Sequence, residues 1–302
     1  MSENCGCEGY HIRVLFTRHG FSCANAKKYY GGMMGRIQKA GIRDPPLTNY
    51  AIKDIIEARG EIHDLGEPDI VMSSVLLRAI QTAHYMYPNK TVYVAPFIKE
   101  IGFGIDNKPD DPRTQTEKFQ QAKKDYNRYA EKRGLPLAES RASLDYRFVT
   151  GKEDTSHDAE GWKKYRVSWK LAQEVHYKTF LVWLEKVLPF IAKANEIPDK
   201  KDINIAIVGH SSFMKKAIKS ARRDKPFNVG IVELNFCYRK DPQTGKTGLH
   251  TMTQQTCGCD NILSLHDNPD DSKKEYCNGV IFRGFPVPDK ADFKDGGDDN
   301  CR

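Results

Sequence analysis

The chain has 302 residues, 39% hydrophobic and 29% charged, with a formal net charge of +7. That length fits one large α/β domain with insertions, and the composition supplies a core while predicting long surface loops. No stretch approaches the apolar length needed to span a bilayer as a helix, so no membrane span is expected, and the positive balance favours an anionic ligand.

Residues 1–10 are polar and read as a flexible N-terminal segment; Met1 to Glu8 lacks the basic-then-apolar plan of a secretory signal, and an intracellular, cytoplasmic protein is expected. Ile12 to Thr17 is a short β-prone run that ends in Arg18-His19-Gly20. After a Gly- and Met-containing segment to Gly41, Asp44-Pro45-Pro46-Leu47-Thr48 opens a helix over Tyr50 to Arg59, with Ile52, Ile55 and Ile56 as its apolar stripe. The plan then repeats. Asp69 to Met72 reads as a buried strand, Ser73 and Ser74 as caps, Val75 to Met86 as a helix carrying Arg78 one turn or more inside it, and Thr91 to Val94 as a third strand.

From about 107 to 202 the chain is polar and helix-biased, an insertion over the sheet edge. Its most apolar helix, Val175 to Ala194, should pack on the sheet and kink at Pro189. Ile203 to Val208 is a further strand, ending at Gly209-His210-Ser211 and leading into a helix from Ser212 to about Arg222. Val229 to Phe236 reads as an edge strand, Val280 to Phe285 as a hairpin-like run, and 289–302 as a disordered tail. Strands alternating with helices predict an α/β fold: a three-layer α/β/α sandwich with a mostly parallel sheet and a helical insertion, in one domain over 11–288.

Two histidines, His19 and His210, each follow a predicted parallel strand, and open α/β sheets bind ligands beyond the carboxyl ends of their strands. Arg18 and Arg78 are placed at the same end. Arginine matches phosphate oxygens with paired donors, and a neutral imidazole can attack phosphorus, so these four residues describe a phosphoryl pocket. An alkoxide leaves poorly near neutral pH, and Glu100, just after the third strand, is the candidate that protonates it. Gly20 lets the backbone approach an anion, and Ser211, at the start of the helix after His210, offers an amide.

The plainer alternatives are specific. Either histidine alone is compatible with a hydrogen-bonded structural role, Glu100 with a solvated carboxylate, and Ser22 and Asn25 with a cap or turn. The eight cysteines are dispersed, and reduced thiols are expected; Cys5-Gly-Cys7 and Cys257-Gly-Cys259 are too tightly spaced for an ordinary zinc site, so no metal and no cofactor are assigned. Lys27-Lys28, Lys123-Lys124, Lys215-Lys216 and Arg222-Arg223 read as solvated faces, and without a recognition module they give no case for nucleic acid. Trp162, Trp169 and Trp183 read as packing residues.

Thr17-Arg18-His19-Gly20-Phe21-Ser22-Cys23-Ala24-Asn25 resembles the R-H-G-x-S-x-x-N signature of the histidine phosphatase superfamily, the branch that contains cofactor-dependent phosphoglycerate mutases and fructose-2,6-bisphosphatase. In the same order, Asp44 to Thr48 is similar to its D-x-P-L-T segment, Ser73 to Ala83 to its S-x-L-x-R-A-x-Q-T-A, and Glu100 and Gly209-His210 follow. The resemblance implies that His19 becomes phosphohistidine, that Arg18, Arg78 and His210 hold the phosphoryl group, that Asn25 contacts it, and that Glu100 is the acid and then the base; Ser22 and Ser211 are further candidates for substrate binding. Lys99 to Gly104 lacks the E-R-H-Y-G run of true mutases, which favours hydrolysis of a phosphorylated small molecule or phosphoprotein. Two alternatives stand beside it: mutase-type phosphotransfer, and a scaffold that binds phosphorylated partners without turnover.

Overall fold

A computed structural model describes residues 10–31, 42–95, 97–98, 100, 104–150, 179–186, 188, 202–217, 227–240, 247–251, 279–282, 284–289 and 301. The apolar run after the N-terminal segment forms β1 (Tyr10–Arg18); Ile12, Val14 and Phe16 bury on one face of the sheet and Leu15 on the other. Ser22 caps α1 (Cys23–Tyr30), and Thr48 caps α2 (Asn49–Glu57) by accepting the Ala51 amide. After α3 (Arg59–Asp64) come β2 (Ile70–Ser74), α4 (Leu77–Met86) and β3 (Thr91–Ala95).

Ser73 and Ser74 are strand residues rather than caps, paired with Val94 and Ala95, because the sheet ladder claims the backbone that a cap would need. The helix starts later as a result, and Arg78 lies in its first turn. A 3-10 turn (Ile105–Asn107) precedes α5 (Pro112–Glu131), which has Asp111 as its cap and Pro112 at its first position. Within the stretch that reads as a helical insertion, β4 (Ser143–Asp145) pairs parallel with β3. Three residues are too few to show a period of two. A short helix, α6 (Arg147–Thr150), follows it.

Residues 179–186 form α7, and Phe180, Trp183 and Leu184 pack against the sheet as their spacing predicts. Then come β5 (Asp202–Gly209), α8 (Ser211–Ala217), β6 (Ile231–Lys240), β7 (Thr247–Thr251) and β8 (Gly279–Phe282). The sheet runs β4-β3-β2-β5-β1-β6-β7, with β8 also on β6; the pairs from β4 to β1 are parallel, and β6 is antiparallel to β1, β7 and β8. β6 is therefore interior, not the edge strand expected over Val229 to Phe236. Its Glu233 and Asn235 look like solvent-facing residues but are buried, and β1 supplies their partners: Arg13 Nε donates to Glu233 Oε2 at 2.8 Å, and His11 Nε2 meets Asn235 Oδ1 at 2.9 Å.

Two apolar layers enclose the sheet. One joins Ile12, Val14 and Phe16 of β1 to α7 and to Phe213 and Met214 of α8; the other joins Leu15, Val71 and Val208 to α2, α4 and α5. The α/β/α sandwich with a mostly parallel sheet is thus observed. Past β8, Phe285 and Val287 pack on the second layer, the Tyr30 hydroxyl donates to the Pro288 carbonyl, and Cys301 forms a disulfide with Cys23 across a Cα separation of 5.2 Å. Cys237 is disulfide-bonded as well, so the expectation of reduced thiols fails at these positions; at Cys23 the fold brings a distant cysteine into bonding range. Both Cys-Gly-Cys pairs, Trp162, Trp169, the Pro189 kink and 290–300 lie outside the described residues. Among the described residues, no helix is long and apolar enough to cross a membrane.

Trp183 is 1% exposed, so Trp183→Ala should cost about 3–5 kcal/mol in denaturant unfolding. The His84 imidazole, packed on Phe119 with ring centroids 4.5 Å apart, is pushed down to about 4 by burial, with Lys123 and Arg59 adding to the shift. An unfolded imidazole binds protons below about pH 6.5. The stability that neutral His84 contributes is therefore full above that pH and lost as pH falls toward 4; His84→Leu should flatten this limb of the stability profile.

Candidate active site

The parallel register sets Arg18 opposite Gly209, and the His19 amide donates to the Gly209 carbonyl at 3.0 Å. The two chains thus leave the sheet side by side, and the His19 and His210 rings lie 5.0 Å apart between centroids, tilted by 58°. Gly209 is required by space. A Cβ there would stand 2.6 Å from Ile98 Cγ2 and 2.7 Å from Phe16 Cζ.

His19 is 5% exposed, and its Nδ1 lies 2.7 Å from the Gly20 carbonyl oxygen. A carbonyl only accepts, so Nδ1 carries the proton and Nε2 keeps its lone pair. Arg78 Nε donates to that Nε2 at 3.3 Å. The Gly20 amide donates to Thr82 Oγ1 at 2.9 Å, and the Thr82 hydroxyl donates to the Arg78 carbonyl at 2.7 Å. One threonine therefore ties the histidine loop to the first turn of α4.

Arg78 is buried, and it donates through Nη1 to the Asp106 carbonyl at 2.7 Å and through Nη2 to Asn107 Oδ1 at 2.9 Å. Burial lowers its pKa, against the pull of Glu100, Asp106 and Asp44. Asp44 anchors this arrangement from a backbone φ of 43°: its Oδ1 accepts the Leu77 amide at 2.8 Å, and its Oδ2 accepts the Asp110 amide at 3.0 Å and Gln115 Nε2 at 2.5 Å. It fixes the start of α4 to α5. Burial raises the Asp44 pKa, and these donors act against the rise.

His210 is fully buried. Its Nε2 lies 2.9 Å from Ser74 Oγ, which accepts the Leu76 amide at 3.3 Å; when the serine hydroxyl donates to Nε2, the imidazole proton sits on Nδ1. Among the described residues Nδ1 has no hydrogen-bond partner, and it stands 4.0 Å from Glu100 Oε2. Burial first, then the charges of Arg78, His19 and Arg18, put the His210 pKa well below its ordinary value. It is neutral at neutral pH, and in that tautomer its Nδ1 is a donor.

Glu100 has a side chain 21% exposed, and its Oε1 accepts the Ser212 hydroxyl. Arg18 exchanges backbone bonds of 2.9 Å with Val229 and Gly230, where Val229 adopts a φ of 65° that a β-branched residue rarely takes. Burial lowers the Arg18 pKa, opposed by Tyr29 and Glu100.

Arg18, His19, Arg78, Glu100 and His210 thus converge at the carboxyl ends of the parallel strands. Ser22 and Asn25 meet each other instead: Ser22 Oγ donates to Asn25 Oδ1 at 2.9 Å, and the two form the capping box of α1. Ser211 is half-buried at the start of α8. The sequence marks no place in the site for Thr82, Asp44, Ser74, Ser212, Asn107 or Gln115. Thr82 and Asp44 lie in the motif segments and Ser74 reads as a cap, while Ser212, Asn107 and Gln115 carry no local signal.

A family model described as histidine phosphatase superfamily (branch 1) matches residues 14–161, the span that holds Arg18, His19, Arg78 and Glu100. That span is just under half of the chain, and over it the chain is similar to this superfamily. Several solved structures are similar to the chain. A phosphoserine phosphatase from Entamoeba histolytica in complex with phosphoserine is 19% identical, covering 81% of this chain and 98% of its own at a TM-score of 0.37. A phosphoglycerate mutase from Bacillus anthracis is 14% identical over 83% and 97% at 0.38. A mycobacterial glucosyl-3-phosphoglycerate phosphatase is 12% identical over 80% and 97% at 0.40. No curated protein sequence matches the chain.

Gly209→Ala should lower unfolding stability by about 1–3 kcal/mol and cut turnover sharply, because relieving the clash with Ile98 and Phe16 displaces His210.

Proposed function

We propose that this chain is a histidine phosphatase that hydrolyses phosphate monoesters through a phosphohistidine on His19, with Glu100 as general acid and then general base. The observation that carries the reading is the His19 tautomer: the Gly20 carbonyl holds the proton on Nδ1, so the Nε2 lone pair faces the space shared by Arg78 and His210.

A bound phosphate would take donors from Arg18, from Arg78 and from His210 Nδ1, which spread its negative charge as phosphorus is transferred. Nε2 attacks phosphorus opposite the ester oxygen, the P–O bond breaks, and Glu100 gives that oxygen its proton. Glu100 then takes a proton from water, whose oxygen attacks phosphorus and releases the Nε2–P bond as inorganic phosphate. Every proton is accounted for by the carboxyl and the water. The divergence of Lys99 to Gly104 from the mutase run supports water as the acceptor. A phosphorylated small molecule or phosphoprotein is the substrate class. The two guanidinium groups supply the positive charge, so turnover should persist in the presence of a chelator.

With 4-nitrophenyl phosphate as substrate, His19→Ala should lower kcat/KM by at least about three orders of magnitude without loss of fold. Wild-type turnover by that variant would contradict the nucleophile. Absence of turnover by the wild-type protein across small-molecule and protein phosphates would favour the scaffold reading.

A further inference from the structure

We infer that Ser212 is a positioning residue for proton transfer: its hydroxyl holds Oε1 of Glu100, which leaves Oε2 as the oxygen that faces the phosphoryl site and carries the proton. The inference rests on the reading of Glu100 as the proton donor.

Glu100 sits on a loop beyond β3, and its side chain has rotational freedom that its own backbone does not remove. Among the described residues, Ser212 is the group that hydrogen-bonds it. The hydroxyl has one proton, and it goes to Oε1. That oxygen is thereby disfavoured as the site of the transferable proton, and Oε2, 4.0 Å from the unpartnered Nδ1 of His210, lies on the side where the phosphoryl oxygens would bind.

Ser212 does not depend on Glu100 for its own place. Phe213 stacks on Phe16 of β1 with centroids 5.0 Å apart and planes at 11°, and the Met214 amide donates to the His210 carbonyl at 3.1 Å. The first turn of α8 is therefore packed on the strand that ends in Arg18. A hydroxyl presented from this rigid turn fixes the carboxyl in the same frame as His210 and His19. Precise orientation of a general acid is worth a measurable part of its catalytic contribution.

The effect belongs to leaving-group departure, and kcat/KM reports the steps up to that event. The test compares 4-nitrophenyl phosphate, whose phenolate needs little protonation, with benzyl phosphate, whose alkoxide needs a proton. Ser212→Ala should lower kcat/KM for benzyl phosphate by about 10–100-fold and for 4-nitrophenyl phosphate by less than about 3-fold, with Ser212→Thr restoring most of the loss. Glu100→Gln should show the same split with larger amplitude, and the double variant Ser212→Ala, Glu100→Gln should be no worse than Glu100→Gln alone. Equal losses on both substrates for Ser212→Ala, or none, alongside a split for Glu100→Gln, would overturn the role of Ser212 and leave Glu100 in place. No split for Glu100→Gln would overturn the role of Glu100 and this inference with it. If Ser212→Ala does not fold, Ser212→Thr alone decides: near-wild-type rates on both substrates support the inference, and a loss equal on both overturns it.

Discussion

Parallel pairing of β1 with β5 is the constraint from which the site follows. The ladder places Arg18 opposite Gly209, carries the His19 amide onto the Gly209 carbonyl, and so brings together two imidazoles that lie almost two hundred positions apart in the chain. Next to it, β2 pairs with β5 and ends at Ser74, within reach of the His210 ring. The apolar residues that set this register are ordinary core: Ile12, Val14 and Phe16 against one helix layer, Leu15 and Val208 against the other. A slip of one residue would turn those faces over and separate the histidines, so burial of the core and alignment of the site are the same requirement.

The electrostatics suit a dianion. Arg78 is buried and spends its hydrogen bonds on neutral acceptors, Asp106 O, Asn107 Oδ1 and His19 Nε2. His210 is held neutral by burial and by the surrounding positive charge. A phosphate arriving between them supplies the charge that the guanidinium lacks in direct contact, and that charge favours proton retention at the imidazole. Asp44 does different work. It fixes the helix that carries Arg78 through three donors, from Leu77, Asp110 and Gln115, so its charge is absorbed by structure.

The residues legible in the sequence are those whose role follows from position on one element. His19, Arg18 and His210 sit at the ends of apolar runs, Arg78 stands in a short motif, and the α7 stripe of Phe180, Trp183 and Leu184 announces its packing. What the sequence hides depends on partners elsewhere. Ser74 looks like a cap until β3 claims its backbone; Glu233 and Asn235 look solvated until β1 offers Arg13 and His11; β4 is too short for a pattern; the Cys23–Cys301 bond spans 278 residues. Ser22 and Asn25 show the converse, since a motif that reads as ligand contact also forms the capping box of α1.

The central claim is that His19 Nε2 becomes phosphorylated during turnover. Rapid alkaline quench of the protein turning over 4-nitrophenyl phosphate, followed by peptide mass spectrometry and isomer analysis, tests it directly, because phosphohistidine survives base and not acid. The account predicts a single phosphoryl group on the peptide containing His19, attached at Nε2 and lost on acid treatment. A phosphoryl group on another residue, attachment at Nδ1, or steady turnover with no trapped phosphoenzyme in a His210→Ala or Glu100→Gln background that slows its hydrolysis would contradict it.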